Sequence, residues 1–96
     1  MSHIYKMEEW YDPNSETYHC NDVNVKGGGV WWLVPRMLQM DPAEYVKMLI
    51  ETYHADVFYF SDKSVLLMSW KSQTECRKFK NWVNKQARDK KFYVED

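Results

Sequence analysis

From residue 30 onward the apolar positions switch repeatedly between strand-like and helix-like spacing, and the switches predict a βαββαβ order. The run Val30-Trp31-Trp32-Leu33-Val34 is β-branched and aromatic, and Pro35 limits its continuation, so it is the predicted first core strand. Tyr45, Met48, Leu49 and Tyr53 then recur at helical spacing. A strong start signal precedes them: Asp41 as N-cap, Pro42 at the first helical position and Glu44 three residues after the cap. This helix is predicted to run to about Tyr53 or His54, give or take about two residues. Residues 57–60 and 65–70 read as an antiparallel hairpin around Ser61-Asp62-Lys63-Ser64. Ser72 with Glu75 repeats the capping-box spacing, and Cys76, Phe79, Trp82, Val83 and Ala87 share one face of the helix that follows. Phe92-Tyr93-Val94 supplies a last strand, predicted at a sheet edge beside the first.

Upstream, residues 4–11 and 17–25 are partly strand-like, with turn chemistry in Asp12-Pro13-Asn14-Ser15 between them. Lys26-Gly27-Gly28-Gly29 holds all three glycines of the chain and reads as a flexible joint. The predicted fold class is therefore α+β: a ferredoxin-like βαββαβ layer over residues 30–94 with an added N-terminal β-hairpin. One domain is expected over 1–96, with 1–29 as hairpin or arm and 30–96 as core. A chain of 96 residues has room for one core, and its 17% aromatic content supplies the bulk to offset conformational entropy.

Cys20 and Cys76 lie far apart with no CxxC partner, which signals neither a disulfide framework nor a cysteine-rich zinc site. Residues 1–10 carry Lys6, Glu8 and Glu9 and lack the apolar stretch of a secretory signal. No apolar run approaches the roughly 20 residues of a membrane-spanning helix. A cytoplasmic setting without a membrane partner is the resulting expectation.

Charge is segregated, although the net charge is only -1. Residues 1–62 hold ten acidic and four basic side chains, whereas 63–91 hold nine basic and two acidic. Much of the excess lies on the second predicted helix and just after it, in Arg77, Lys78, Lys80, Lys85, Arg88, Lys90 and Lys91. These avoid the apolar positions and form a candidate basic face for phosphates or an acidic protein. A solvated helix surface has the same composition, and cations late in a helix also complement its dipole.

The strands carry bulky groups on both alternating sets of positions, whereas a single-layer sheet buries only one face. The second face then needs a cover: the N-terminal hairpin with Trp10, Tyr11 and Tyr18, a second copy of the chain, or an unpaired base. Trp31, Trp32, Tyr59 and Trp70 are the candidate aromatic contacts. In strand and helix order, residues 30–94 resemble an RNA-recognition motif. That family places an Arg or Lys, a Gly and alternating aromatics on its third strand, where Ser64-Val65-Leu66-Leu67-Met68-Ser69-Trp70 has no glycine and one aromatic. No site residue is carried across.

Catalytic spacing is missing. Adjacent His19 and Cys20 would point apart on a strand, and Cys76 falls on the apolar face with Phe79, as a small buried hydrophobe does. His3, His19 and His54 form no zinc-ligand pattern, and His54 with Asp56 reads as turn and cap chemistry. Lys26 with its glycines lacks the Walker order. The expected function is a small non-enzymatic interaction module without cofactor or metal, docking on a larger macromolecule. A protein is the first choice of partner, in the style of the regulators and inhibitors that phages and viruses encode. RNA or single-stranded DNA is the second, through the basic helix and an aromatic sheet face. A thiol or metal-dependent enzyme is the third. The short strand 92–94 and an uncovered sheet face are the places where a homodimer would pair.

Overall fold

A computed structural model describes residues 1–25, 32–59 and 66–95. Six short strands and three helices follow in the order β1 (Ser2–Ile4), β2 (Glu8–Asp12), β3 (Thr17–Asn21), α1 (Leu33–Leu38), α2 (Pro42–Glu51), β4 (Asp56–Tyr59), β5 (Leu66–Ser69), α3 (Gln73–Lys90) and β6 (Tyr93–Glu95). The strands pair antiparallel as β1 with β6, β2 with β3 and β4 with β5. The class is α+β, built from small sheets.

Both capped helices start where the sequence places them. Asp41 Oδ1 accepts from the Glu44 backbone N–H at 3.0 Å, and Ser72 Oγ accepts from that of Glu75 at 3.3 Å, so each cap satisfies one otherwise orphaned donor. Helix α2 stops at Glu51 with Thr52 as its C-cap, within about two residues of the expected Tyr53. In α3, Cys76, Phe79, Val83 and Ala87 are fully buried, and Lys91 at φ 52° ends the helix in the left-handed region.

The first predicted core strand is a correction. Leu33 and Val34 open α1 instead, while Val30 and Trp31 lie outside the described residues, as do the glycine joint and the turn 61–64. Pro35 sits in the first turn, where its missing N–H costs no helical bond. Leu33, Val34 and Met37 bury at helical spacing, so packing overrides the β-propensity of the run. The last strand consequently pairs elsewhere: Ser2, His3 and Ile4 stand opposite Glu95, Val94 and Tyr93.

A bridge between Tyr18 and Trp70 sets the two hairpins edge to edge, with Tyr18 N–H donating to Trp70 O at 2.7 Å and Trp70 N–H returning to Tyr18 O at 2.9 Å. The strands then lie in the order β2, β3, β5, β4. Helix α3 covers one face of this surface, and Trp70, fully buried, stacks on Phe79 with ring centroids 5.4 Å apart. The Trp70 indole N–H donates to Tyr53 O at 2.9 Å, which satisfies the polar end of the buried ring.

The N-terminal segment belongs to the same core, because Tyr5, Met7 and Cys20 are buried with the α3 stripe. Two buried polar side chains hold it there. Asn84 Oδ1 accepts from Met7 N–H at 2.7 Å while its amide donates to Met7 O at 3.1 Å. Asp22 accepts from the backbone N–H of Lys6 at 3.3 Å and of Asn24 at 2.9 Å, and its Oδ2 lies 2.8 Å from His3 Nε2. Replacing Asn84 with Ala strands both Met7 backbone groups in the core. The expected loss is about 2–4 kcal/mol in a denaturant melt with unchanged slope. Lys85→Ala, on the exposed side of the same turn, is expected to stay within about 0.5 kcal/mol.

Candidate functional site

Successive strand residues point to opposite faces, so the helix contacts of β2 and β3 define both sides of the sheet. Glu9 and Cys20 are cross-strand partners, and both face α3. Arg77 Nη2 and Nε donate to Glu9 Oε1 at 2.7 and 3.0 Å, and the Cys20 thiol is hydrogen-bonded with that of Cys76. Trp10 and His19, the next pair along, therefore face away from the helices. Across the Tyr18–Trp70 bridge, Ser69 and Lys71 take the same open side as His19 and Thr17. On β4 the packed Val57 leaves Asp56 and Phe58 to that side.

These residues line an open groove of about 530 Å³. Its walls are Trp10, 46% exposed, and Phe58, 58% exposed, two large apolar side chains that stand partly in water. His19 lies flat on Trp10, with centroids 4.4 Å apart and planes 15° from parallel. A hydrogen-bonded chain fixes that ring: Ser15 Oγ donates to Asp12 Oδ2 at 3.1 Å and contacts Thr17 Oγ1, which lies 2.9 Å from His19 Nε2. Asp12, Asp56 and Lys71 put charges of both signs in the lining. An apolar trough with a few fixed polar groups suits an inserted side chain.

The sequence-predicted contacts divide. Trp70 is corrected from an exposed contact to a core residue, since burial under α3 leaves no ring face to stack on. Trp31 and the side chain of Tyr59 lie outside what the structure describes. Trp32 is 52% exposed but belongs to a separate cleft beside β6. Trp10, weighed as a cover for the second sheet face, is instead part of that face. Its parity with Asp12 and opposition to Glu9 carried that information, once Glu9 is recognised as the partner of Arg77.

The basic face is smaller than its sequence. Glu9 binds Arg77 and also lies 3.8 Å from Lys80 Nζ, and Lys78 Nζ lies 3.7 Å from Glu75 Oε1. Lys85, Arg88, Lys90 and Lys91 are exposed and form no ion pair among the described residues. Helix α3 lies across the sheet from the groove, so the basic face and the aromatic sheet face are on opposite sides and form no single surface.

Cys20 and Cys76 are both buried and free. The hydrogen bond with Cys76, with burial behind it, pushes the Cys20 thiol well above its ordinary range, and the same bond lowers Cys76 against its own burial. His54 Nδ1 lies 3.5 Å from Glu75 Oε2, so the imidazole is placed against Glu75, where the sequence suggests Asp56. Among the described residues no group of three or more His, Cys, Asp or Glu side chains could hold a metal ion, and no helix is long and apolar enough to cross a membrane. Comparison with protein-family models, with curated proteins and with solved structures finds no match.

Two measurements check this geometry. Both thiols are expected to label slowly in the folded protein and at the ordinary rate in denaturant, because reagent reaches them only through opening of the α3 contact. The Arg77 hydrogen bond, aided by Lys80, holds the Glu9 carboxyl below its usual pKa of 4.5, against partial desolvation. A depressed carboxyl stabilises the fold above its unfolded pKa and loses that effect as pH falls through the folded one. The melting temperature of Glu9→Gln is therefore expected to lie below that of the parent at neutral pH, with the gap closing as pH drops under about 4.5.

Proposed function

We propose that this protein is a small non-enzymatic docking module that binds a protein partner through the open face of its sheet. One observation carries the reading: the groove between the two hairpins, where Trp10 and Phe58 stand half-exposed while the opposite face is covered by α3. Partly exposed aromatic side chains around a formed trough are the usual anchors of protein recognition, since they contribute large contact area at small entropy cost. The mixed charges of Asp12, Asp56 and Lys71 at the trough supply register rather than net attraction. The reading rests on this face. It draws nothing from the ferredoxin-like layout expected for residues 30–94, whose Leu33 and Val34 lie in α1 and whose last strand pairs with β1.

Supporting it are the two buried thiols, enclosed where a substrate would not reach them, and a Thr17–His19 contact already tied into the hairpin turn through Ser15 and Asp12. These residues set the orientation of the imidazole against Trp10. A regulator or inhibitor acting in the cytoplasm fits such a module.

The test compares nuclease-treated pull-downs of the tagged parent, the Trp10→Ala/Phe58→Ser variant and the Lys78→Glu/Lys85→Glu variant. A stoichiometric protein held by the parent and the lysine variant but lost from the groove variant is the expected result. Equal recovery by all three would contradict the proposed surface, and loss confined to the lysine variant would move the site to α3.

A further inference from the structure

A second cleft, separate from the groove, lies between α1 and β6. It is about 370 Å³ in volume, and Trp32, Arg36, Phe92 and Tyr93 are among the residues that line it. Two of its aromatics are unusually open: Trp32 is 52% exposed and Tyr93 60% exposed. Arg36 lies four residues after Trp32 along α1, the spacing that puts two side chains on one helical side. On the other wall the chain enters β6 directly from the end of α3, where Lys90 and Lys91 are exposed; Arg88, one turn earlier, lines a different cleft with Ile4, Tyr5, Lys6 and Asn84. Lys91 turns the chain through the left-handed region, and the Phe92 N–H donates back to Ala87 O at 3.0 Å, which pins the aromatic wall to the basic helix end.

The cations here are those left over after intramolecular pairing. Glu9 takes Arg77 and Lys80, and Glu75 takes Lys78, whereas Arg36, Lys90 and Lys91 form no ion pair among the described residues. The acidic lining residue, Glu95, faces the amino terminus at 3.8 Å. Open ring faces flanked by unpaired cations match the two repeating features of a single strand, flat bases and spaced phosphates. A duplex offers the phosphates without free base faces. An acidic protein offers the charge without a use for two open rings.

We propose that this cleft binds single-stranded nucleic acid, with Trp32 and Tyr93 stacking on bases and Arg36, Lys90 and Lys91 contacting phosphates. The net charge of -1 means that binding rests on this local patch and not on the whole molecule. About three phosphate contacts give a slope near -2 in log affinity against log salt for a single strand.

The experiment titrates the full chain into fluorescein-labelled oligothymidylate and oligouridylate and reads anisotropy across a salt series. Saturable binding with that slope is expected, weakened roughly tenfold by Trp32→Ala or Tyr93→Ala and restored by Tyr93→Phe. Lys90→Glu with Lys91→Glu should lower the slope by about one or more. Lys47→Glu, which reverses a cation elsewhere, should do neither. Circular dichroism of each variant verifies folding, and Trp32→Tyr, which keeps a stacking ring, replaces Trp32→Ala if the latter unfolds and should bind nearly as the parent does. Absence of saturable binding at low salt overturns the proposal. So do equal affinity of the folded Trp32→Ala and Tyr93→Ala variants, duplex binding as tight as single-strand binding, and concentration-dependent self-association abolished by Trp32→Ala in a chain that binds no oligonucleotide.

Discussion

The contact between the apolar stripe of α3 and one face of the strand surface is the constraint on which the rest depends. Trp70 lies at its centre, stacked on Phe79 and hydrogen-bonded to Tyr53 O, in a core cluster that also holds Cys20, Cys76, Val83 and Ala87. Because strand residues alternate, committing Cys20, Trp70 and Val57 to this contact commits Trp10, His19 and Phe58 to the opposite side. The groove is thus a by-product of how the core is built. A shift of one residue in the register of either hairpin would exchange the two sets and destroy core and groove together.

Local signals in the sequence were reliable wherever a side chain acts on its own neighbourhood. The caps at Asp41 and Ser72, the α3 stripe and both hairpins depend on residues a few positions apart, and all are present. The run before Pro35 failed for a different reason. A strand needs a partner, and the partner of 93–95 turned out to be Ser2–Ile4, some ninety positions away, for which no local pattern exists. Freed from the sheet, Leu33 and Val34 found burial in a helix.

The candidate sites were legible in composition but not in placement. Surplus aromatic surface was visible, yet which tryptophan is buried depends on the Tyr18–Trp70 bridge, a contact between segments far apart in sequence. Segregated charge was visible too. Its meaning changed once Glu9, brought over by the N-terminal hairpin, neutralised the first turns of α3 and left the cations at the far end of the helix free. The last of them, Lys90 and Lys91, lead directly into Phe92 and Tyr93, which share a cleft with Trp32 and Arg36, a grouping that no single sequence window contains.

The central claim is that the helices cover one face of the strand surface and leave the other open to a partner. The most direct measurement is the effect of a soluble paramagnetic agent on the side-chain NMR signals of the free protein. Strong broadening of the Trp10 indole and the Phe58 ring, with the Trp70 indole protected, is the predicted result. Protection of Trp10 and Phe58 to the same degree as Trp70 would contradict the account, because the face assigned to docking would already be covered.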